Sequence, residues 1–320
     1  MNRRMAMQAL SAAILCAASR PVAAQDRQPV RIIVPYAAGG QTDSMARLLA
    51  ESMQKTLGRT VLVENRPGAA ALIATKYVQA APPDSDTLLF HNSGFTTLPL
   101  LSKAANYNPL TDFDPVALVG VSPNFLMVTD AVPARTVPEF LDYARAHPGL
   151  ECANSGINSG GHICAMLLAK LGNIKLRHIP YKGSAEVTRA LIGGEVKMQV
   201  SVTTESLNPY IKNGKIRLLG VVSKERTTLA PQVPPLDDFL PGYEVAGWFG
   251  ILTAAKTPLE KREVMAAAIK KGLEDPVIRE RFEALFMQIT YRGPNEFGQE
   301  IAESDVFFRN IVRELELTPT

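Results

Sequence analysis

Two short glycine-containing segments carry residue types that could bind an anion. The first, YAAGGQTD at residues 36–43, precedes an apolar pattern typical of a helix. The second, SGINSGGH at residues 155–162, has the same place relative to a later helix. The first turn of a helix leaves backbone N–H groups without partners and carries a partial positive charge, so it attracts anions. The first segment could therefore hold a phosphate, a carboxylate or only the protein's own Asp43.

The donors in both segments are mainly backbone amides. Ala38, Gly39 and Gly40 offer N–H groups at the first helix start, and glycine lets a main chain approach a ligand closely. The second segment adds the hydroxyls of Ser155 and Ser159. Neutral dipoles of this kind can release a carboxylate without leaving a buried charge unpaired. A glycine pair is also typical of an ordinary tight turn, so the pattern alone leaves both interpretations open.

Two polar residues in these segments have simple structural roles. Asp43 is predicted to be the N-cap of the first helix. His162 is predicted to lie in the first turn of the second helix and to support its loop.

The sequence lacks the common signatures of enzymes. It contains no G-x-x-x-x-G-K-[ST], no G-x-G-x-x-G after a strand and no G-x-S-x-G, and its four histidines have no metal-ligand spacing. A hydrolase that uses Ser159 and His162 stays open, because catalytic triads are spatial rather than sequential. We predict a protein without catalytic residues, metal or cofactor.

The composition points to a secreted protein. The chain is 46% hydrophobic and 20% charged, as is ordinary for a globular protein. Residues 1–24 have a basic start, a short apolar run and small residues before a predicted cleavage, which is typical of a signal peptide. This leader holds three of the 34 basic residues and no acidic one, so basic and acidic residues balance in the remainder. The charge therefore gives no support for nucleic-acid binding.

Strand and helix patterns alternate along the mature chain, which predicts an α/β fold. The opening order of strand, glycine corner and helix returns after residue 150. Two long extended stretches, at 116–128 and 243–254, predict two crossovers between domains. One lobe would contain residues 25–124 plus 247–320 and the other residues 125–246, with the chain after 254 helical to Leu317.

The predicted mature chain has two cysteines, Cys152 and Cys164. Their places at a strand end and early in the next helix could bring them together. A disulfide and two buried thiols both stay open.

The sequence resembles the periplasmic solute-binding receptors of tripartite tricarboxylate transporters, also called Bug receptors. The resemblance runs through VPYAAGGQTD, ENRPGA, SGINSGGH, IPYKGSAE, IKNGKIRLLGVVSKER and PGYEVAGWFGILTAAKTP, in order, over essentially the whole mature chain. It implies a two-lobed Venus-flytrap fold of type II and capture of a small organic carboxylate for an integral membrane transporter. It also implies that the loops at 36–43 and 155–162 close on the ligand, partly through bound water.

Further site residues follow from the resemblance and its departures. The chain has QVSVTT where the family tends to have MFDN, with a one-residue ambiguity in alignment. Ser201, Thr203 and Thr204 then replace an acidic wall, which disfavours an amino-acid ligand because its ammonium group would lose its partner. The sequence does not indicate which carboxylic acid is bound. The ligand-binding residues that we predict are Tyr36, Ala38, Gly39, Gly40, Asp43, Ser93, Gly94, Ser155, Ser159, His162, Ser201 and Thr203.

The predicted partners are the carboxylate and the membrane subunits of a transporter. The protein is expected to be a periplasmic monomer that binds no nucleic acid. A ligand sensor that signals to a membrane protein is the alternative, and a secreted hydrolase is the third hypothesis.

Overall fold

The computed structural model describes residues 28–157, 159–245 and 247–319. The predicted signal peptide lies outside this part of the chain. Two β-sheets organise the rest, each covered by helices, and this confirms the α/β class.

The first sheet has six strands. In spatial order they are β11 (Gln288–Arg292), β4 (Phe113–Val121), β10 (Trp248–Ala254), β3 (Thr87–Asn92), β1 (Val30–Val34) and β2 (Val61–Asn65). Strands β2, β1 and β3 are parallel, whereas β10, β4 and β11 pair antiparallel.

The second sheet has five strands. In spatial order they are β7 (Leu176–Pro180), β6 (Leu150–Asn154), β8 (Met198–Val202), β5 (Asn124–Thr129) and β9 (Ile216–Val221). Strands β7, β6 and β8 are parallel, so they repeat the order β2-β1-β3 of the first sheet. This repeat confirms that the opening strand–corner–helix pattern returns.

The helices are mostly of ordinary length. They are α1 (Gln41–Leu57), α2 (Leu72–Gln79), α3 (Gly94–Leu101), α4 (Val137–Ala146), α5 (Gly160–Leu171), α6 (Ser184–Gly193), α7 (Asn208–Lys212), α8 (Leu259–Leu273), α9 (Pro276–Ala284) and α10 (Pro294–Glu314). Each of the two corner segments leads into the helix predicted for it, α1 or α5.

Each sheet has apolar clusters of its own. Ile32, Leu49 and Ile269 belong to one cluster on the first sheet, and Phe95 and Trp248 belong to another. On the second sheet, Phe140 and Leu168 share one cluster, and Phe125 and Leu191 share another. The two sheets are therefore separate hydrophobic layers, which is typical of a chain with two cores.

Two crossovers connect the sheets. The chain passes from β4 to β5 through Ser122 and Pro123, and it returns to β10 through residues 222–247. The backbone N–H of Ser122 donates to the Gly247 carbonyl at 3.0 Å, so the two crossing segments lie side by side.

The last helix joins both layers. Phe308 and Ile311 pack in the cluster of Phe140 and Leu168. Lys170 of α5 forms an ion pair with Glu314 of α10 at 3.1 Å. The lobe boundaries stay a prediction, and the end of α10 contacts the elements around the second sheet.

The expectation of a wholly helical tail is wrong, because β11 interrupts it and pairs with β4 at the sheet edge. Its residues, Gln-Ile-Thr-Tyr-Arg, include β-branched and aromatic side chains that favour a strand.

Candidate anion-binding site

The predicted site residues lie at equivalent edges of the two sheets. Because β1, β2 and β3 are parallel, the loops at their carboxyl ends meet at one edge of the first sheet. Strands β6, β7 and β8 place three more loops at the corresponding edge of the second sheet. Ligands of open α/β sheets bind outside the carboxyl ends of the strands. We call these places the first edge and the second edge.

In the first loop, one backbone amide donates to an internal acceptor and two do not. Gly39 has φ +84°, a conformation that favours glycine, and its N–H donates to Asp43 Oδ2 at 2.9 Å. The N–H groups of Ala38 and Gly40 have no acceptor among the described residues. The first helix start therefore offers Ala38 and Gly40 as anion donors, while the amide of Gly39 is used internally.

Asp43 does not have its predicted role as N-cap. Gly40 is the N-cap of α1, and Asp43 lies three residues later in the first turn. From there its carboxylate accepts the N–H of Gly39, the residue before the N-cap. The helix therefore begins earlier than the polar side chain indicated, at a glycine N-cap that makes no side-chain hydrogen bond.

The Asp43 carboxylate is the centre of a buried network. It also accepts from Asn65 Nδ2 at 2.9 Å and from the guanidinium of Arg47 at 3.0 and 3.1 Å. Burial tends to raise the pKa of this carboxyl, but the hydrogen bonds from Arg47, Gly39 and Asn65 outweigh it and lower the pKa below 3.8. Asn65 additionally donates to the Tyr36 carbonyl at 3.0 Å, so the network fixes both ends of the loop.

A second set of hydrogen bonds at the first edge centres on Asn92. Its Oδ1 accepts the Tyr36 hydroxyl at 2.9 Å and the Gly94 N–H at 3.0 Å. A Cβ at Gly94 would lie 2.8 Å from that oxygen, so a side chain there would displace the Asn92 amide from its present position. The Ser93 N–H donates to the Trp248 carbonyl at 3.0 Å. The structure thus brings Tyr36, Ser93 and Gly94 together around an asparagine that the sequence analysis missed.

The second edge repeats this asparagine turn. Asn154 Oδ1 accepts the Gly156 N–H at 3.1 Å, as Asn92 accepts from Gly94. Both turns have the sequence Asn-Ser-Gly, a repeat that is visible in the sequence and could have identified them. Asn154 Nδ2 is buried and has no partner among the described residues. Ser155, which follows it, is exposed.

Ser159 is the N-cap of α5. Its hydroxyl accepts the backbone N–H of His162 at 3.3 Å, which confirms that His162 lies in the first turn of the helix. A hydroxyl that accepts from the backbone caps the helix start and satisfies one of its free donors.

The ring of His162 lies against a second histidine. The His162 and His178 ring centroids are 4.7 Å apart at 87°, and His178 belongs to β7. Burial, and then the proximity of His178, lower the pKa of His162 to about 4, and burial lowers that of His178. Both rings are therefore neutral at pH 7.

The end of β8 supplies the hydroxyls at the second edge. A Cβ at Gly161 would lie 2.7 Å from the Val200 carbonyl oxygen and 3.6 Å from the Ser201 side chain, so this glycine lets α5 begin directly against β8. Thr203 is fully buried and its Oγ1 has no partner among the described residues.

The first loop is also connected to the crossover. Gln41, the first residue of α1, donates from Nε2 to the Leu285 carbonyl at 2.7 Å and to Ser122 Oγ at 3.3 Å. Ser122 Oγ donates to the Phe286 carbonyl at 2.9 Å, and the Phe286 ring packs edge-on to Phe125 near the second sheet. The loop, the crossover and the second sheet are thus joined through one set of contacts.

Cys152 and Cys164 are free thiols, both buried. Burial raises the pKa of each thiol to about 12, so neither is a reactive thiolate at neutral pH. Within the described part of the chain, no group of three or more His, Cys, Asp and Glu side chains could hold a metal ion.

Comparisons with known proteins identify relatives of this chain in sequence and in fold. The profile of the tripartite tricarboxylate transporter family receptor, TctC, matches residues 45–317. The structure of the periplasmic binding protein BugD is 31% identical, with a TM-score of 0.81 over 91% of this chain and 99% of that one. Rpa4515 of R. palustris, solved with adipate, is 27% identical, with a TM-score of 0.83 over 91% and 98%. MatC of Rhodopseudomonas palustris, solved with malate, is 29% identical, with a TM-score of 0.79 over 89% and 98%.

The profile covers most of the chain, and the fold agrees with that of two-lobed periplasmic binding proteins. The chain belongs to the tripartite tricarboxylate transporter receptor family, whose Bug-named members include BugD.

Proposed function

We propose that this protein captures a small organic carboxylate between its two lobes and delivers it to an integral membrane transporter of the tripartite tricarboxylate type. The family consists of solute-binding receptors rather than enzymes. Two related proteins, Rpa4515 and MatC, were solved with the dicarboxylates adipate and malate. The observation that carries the proposal is the repeat of a strand, a glycine-containing loop and a helix start at the carboxyl edge of each sheet.

The ligand would be held mainly by main-chain donors at the first edge and by hydroxyls at the second. Ala38 and Gly40 supply amides without internal acceptors, whereas Gly39 shapes the loop. Ser155 is exposed at the second edge, and Thr203 has a hydroxyl without a partner among the described residues. Gly94, Ser159, His162 and Ser201 complete the set by supporting these loops.

Closure would occur about the two crossing segments. Ser122 and Gly247 are paired there, and we propose residues 25–124 plus 247–320 and 125–246 as the moving lobes. A closed form presents both lobes in a fixed relation that a partner can recognise. We further propose that the protein acts as a periplasmic monomer released from a cleavable leader at residues 1–24.

Among the described residues, no helix has the length and apolarity needed to span a membrane. The proposed partner is an integral membrane transporter. A sensor that passes the closed form to a signalling protein would use the same site, and uptake assays in a deletion strain distinguish the two roles. Lost uptake of the acid with intact signalling output supports the transporter.

A melting-temperature screen of the mature protein against carboxylates tests the ligand class. A true ligand at a hundred times its dissociation constant stabilises the protein by about 2.7 kcal/mol, which is easily measured. Adipate and malate are the first probes, with a sugar and a divalent cation as controls. A shift with a sugar or a cation and with no acid would contradict the proposal.

Substitution at Gly40 tests the first edge. A Cβ there would have only an ordinary contact, 3.6 Å from the Ala37 carbonyl oxygen, and the φ of Gly40 is not positive, so the backbone tolerates a Cβ at this position. We expect Gly40→Leu to retain the melting temperature and to lose ligand binding. Binding that survives in a folded Gly40→Leu variant would move the ligand away from this loop.

A further inference from the structure

One loop at the second edge has no role in the site described above. It contains Tyr181–Gly183 and follows β7 in the way that the loop at 155–159 follows β6. The Tyr181 N–H donates to the Asn154 carbonyl at 2.9 Å, and the Tyr181 carbonyl lies 3.9 Å from where a Cβ of Gly156 would stand. Lys182 is therefore placed beside the Ser155 turn at the carboxyl edge of the sheet.

Two basic side chains near the first edge are already engaged. Arg47 forms an ion pair with the buried Asp43 carboxylate at 3.0 Å. Arg66, in the loop after β2, pairs with Glu64 at 3.3 Å, and its guanidinium lies 3.7 Å from the centre of the Tyr77 ring. Moving either cation to a ligand would break an internal contact.

Lys182 is different, because its ammonium is exposed and has no hydrogen bond or ion pair within the described ranges. Glu186, in the first turn of α6, is the acidic group closest to it in the sequence. The Glu186 carboxylate accepts the backbone N–H of Lys182 at 3.0 Å, so it fixes the main chain of the loop. The Lys182 ammonium therefore carries a positive charge that has no internal partner within the described part of the chain.

We propose that Lys182 pairs with the second carboxylate of a dicarboxylate whose first carboxylate is held by the helix-start amides. This inference rests on the proposed function and names its substrate class. Neutral amides and hydroxyls recognise one carboxylate without regard to the rest of the molecule. An ammonium at one edge adds a charge contact that only the second acid group can use, so it separates dicarboxylates from monocarboxylates of equal length.

Calorimetric titration with matched acids tests this assignment. Adipate is compared with hexanoate, and malate with 2-hydroxybutyrate, because each pair differs only in one terminal carboxylate. The variant is Lys182→Ala. The control is Lys175→Ala, because Lys175 is also exposed but precedes β7 at the opposite end of the same strand.

We expect Lys182→Ala to weaken adipate or malate binding by about two- to fivefold and to leave the monocarboxylates unchanged, while Lys175→Ala changes neither. Added salt should weaken dicarboxylate binding by the wild type more steeply than by Lys182→Ala, since one screened charge pair is missing.

The failures of the two proposals are distinguishable. Dicarboxylate binding that is unchanged in Lys182→Ala, or a wild type that prefers the monocarboxylates, overturns the role of Lys182 and leaves the carboxylate receptor intact. Equal losses for both members of a pair would indicate a structural effect and also overturn it. A wild type that binds no acid in the melting screen overturns both proposals.

Discussion

Replacing Asp43 by alanine tests whether the first loop depends on its buried carboxylate. The side chain is 4% exposed and accepts hydrogen bonds from Gly39, Asn65 and Arg47. The Arg47 side chain is 53% exposed and Gly39 is exposed, so water can replace the carboxylate at both donors. Asn65 keeps its bond to the Tyr36 carbonyl. The net loss is then close to that of one hydrogen bond to a charged group, about 2 kcal/mol.

At about 2–3 °C per kcal/mol for a chain of this size, Asp43→Ala should lower the melting temperature by about 4–6 °C. Arg47→Ala is the control. It removes a half-exposed partner at i,i+4 and should cost only about 0.5 kcal/mol, or about 1–2 °C. Asp43→Ala should also weaken carboxylate binding, because the Gly39 N–H no longer fixes the loop. A melting temperature within 1 °C of the wild type, or equal losses in the two variants, would refute this reasoning.

The pH dependence of the same pair has a defined sign. The pKa of the Asp43 carboxyl in the folded protein is below 3.8, so its stabilising contribution is present above that pH. It is lost as the pH falls through the folded pKa. The difference in unfolding free energy between wild type and Asp43→Ala should therefore be constant from pH 5 to 7 and shrink below pH 4. A difference that grows in acid would contradict the network.

Three further substitutions have expected outcomes. Ala70 has φ +52°, a conformation that is costly for alanine. Ala70→Gly should therefore raise the unfolding free energy measured by urea titration by about 0.5–1 kcal/mol. A loss of stability would show that the turn is not strained. Gly161→Ala would place a Cβ 2.7 Å from the Val200 carbonyl oxygen and should lower the unfolding free energy by about 1–3 kcal/mol. An unchanged melting temperature would exclude the close approach of α5 to β8. Burial, and then the proximity of His178, lower the pKa of His162 to about 4. The unfolded state therefore binds more protons between about pH 6.5 and 4, and stability falls as the pH is lowered through that window. His162→Gln should flatten this part of the stability profile, and an equally steep profile would place the proton uptake elsewhere.

The periodic features of the chain could be predicted from the sequence. The strand–corner–helix order appears twice in the sequence and twice in the structure, and both corners lie at helix starts. Local rules suffice there, because alternating strand and helix patterns and glycine corners are encoded within a few residues. The Asn-Ser-Gly repeat at Asn92 and Asn154 is also a local pattern. Asparagine followed closely by glycine favours a turn, so both turns could have been predicted from the sequence.

Other features depended on contacts that sequence spacing does not show. Asp43 was expected to be the N-cap, but the N-cap is Gly40, three residues earlier. The start of the helix depends on the backbone at Gly40 rather than on the nearest polar side chain. The bond from Gln41 to the Leu285 carbonyl joins residues 244 positions apart. The edge strand β11 lies within a tail that is otherwise helical, and its pairing with β4 decides its conformation.

Amide hydrogen exchange measured by mass spectrometry, with and without a saturating dicarboxylate, tests the central claim most directly. The claim is that one anion is held at the carboxyl edges of both sheets at once. It predicts slower exchange in the peptides covering residues 36–44 and 155–164 together, with unchanged exchange around Lys175 at the opposite edge. Protection of only one of these loops, or protection confined to another surface, would contradict the account.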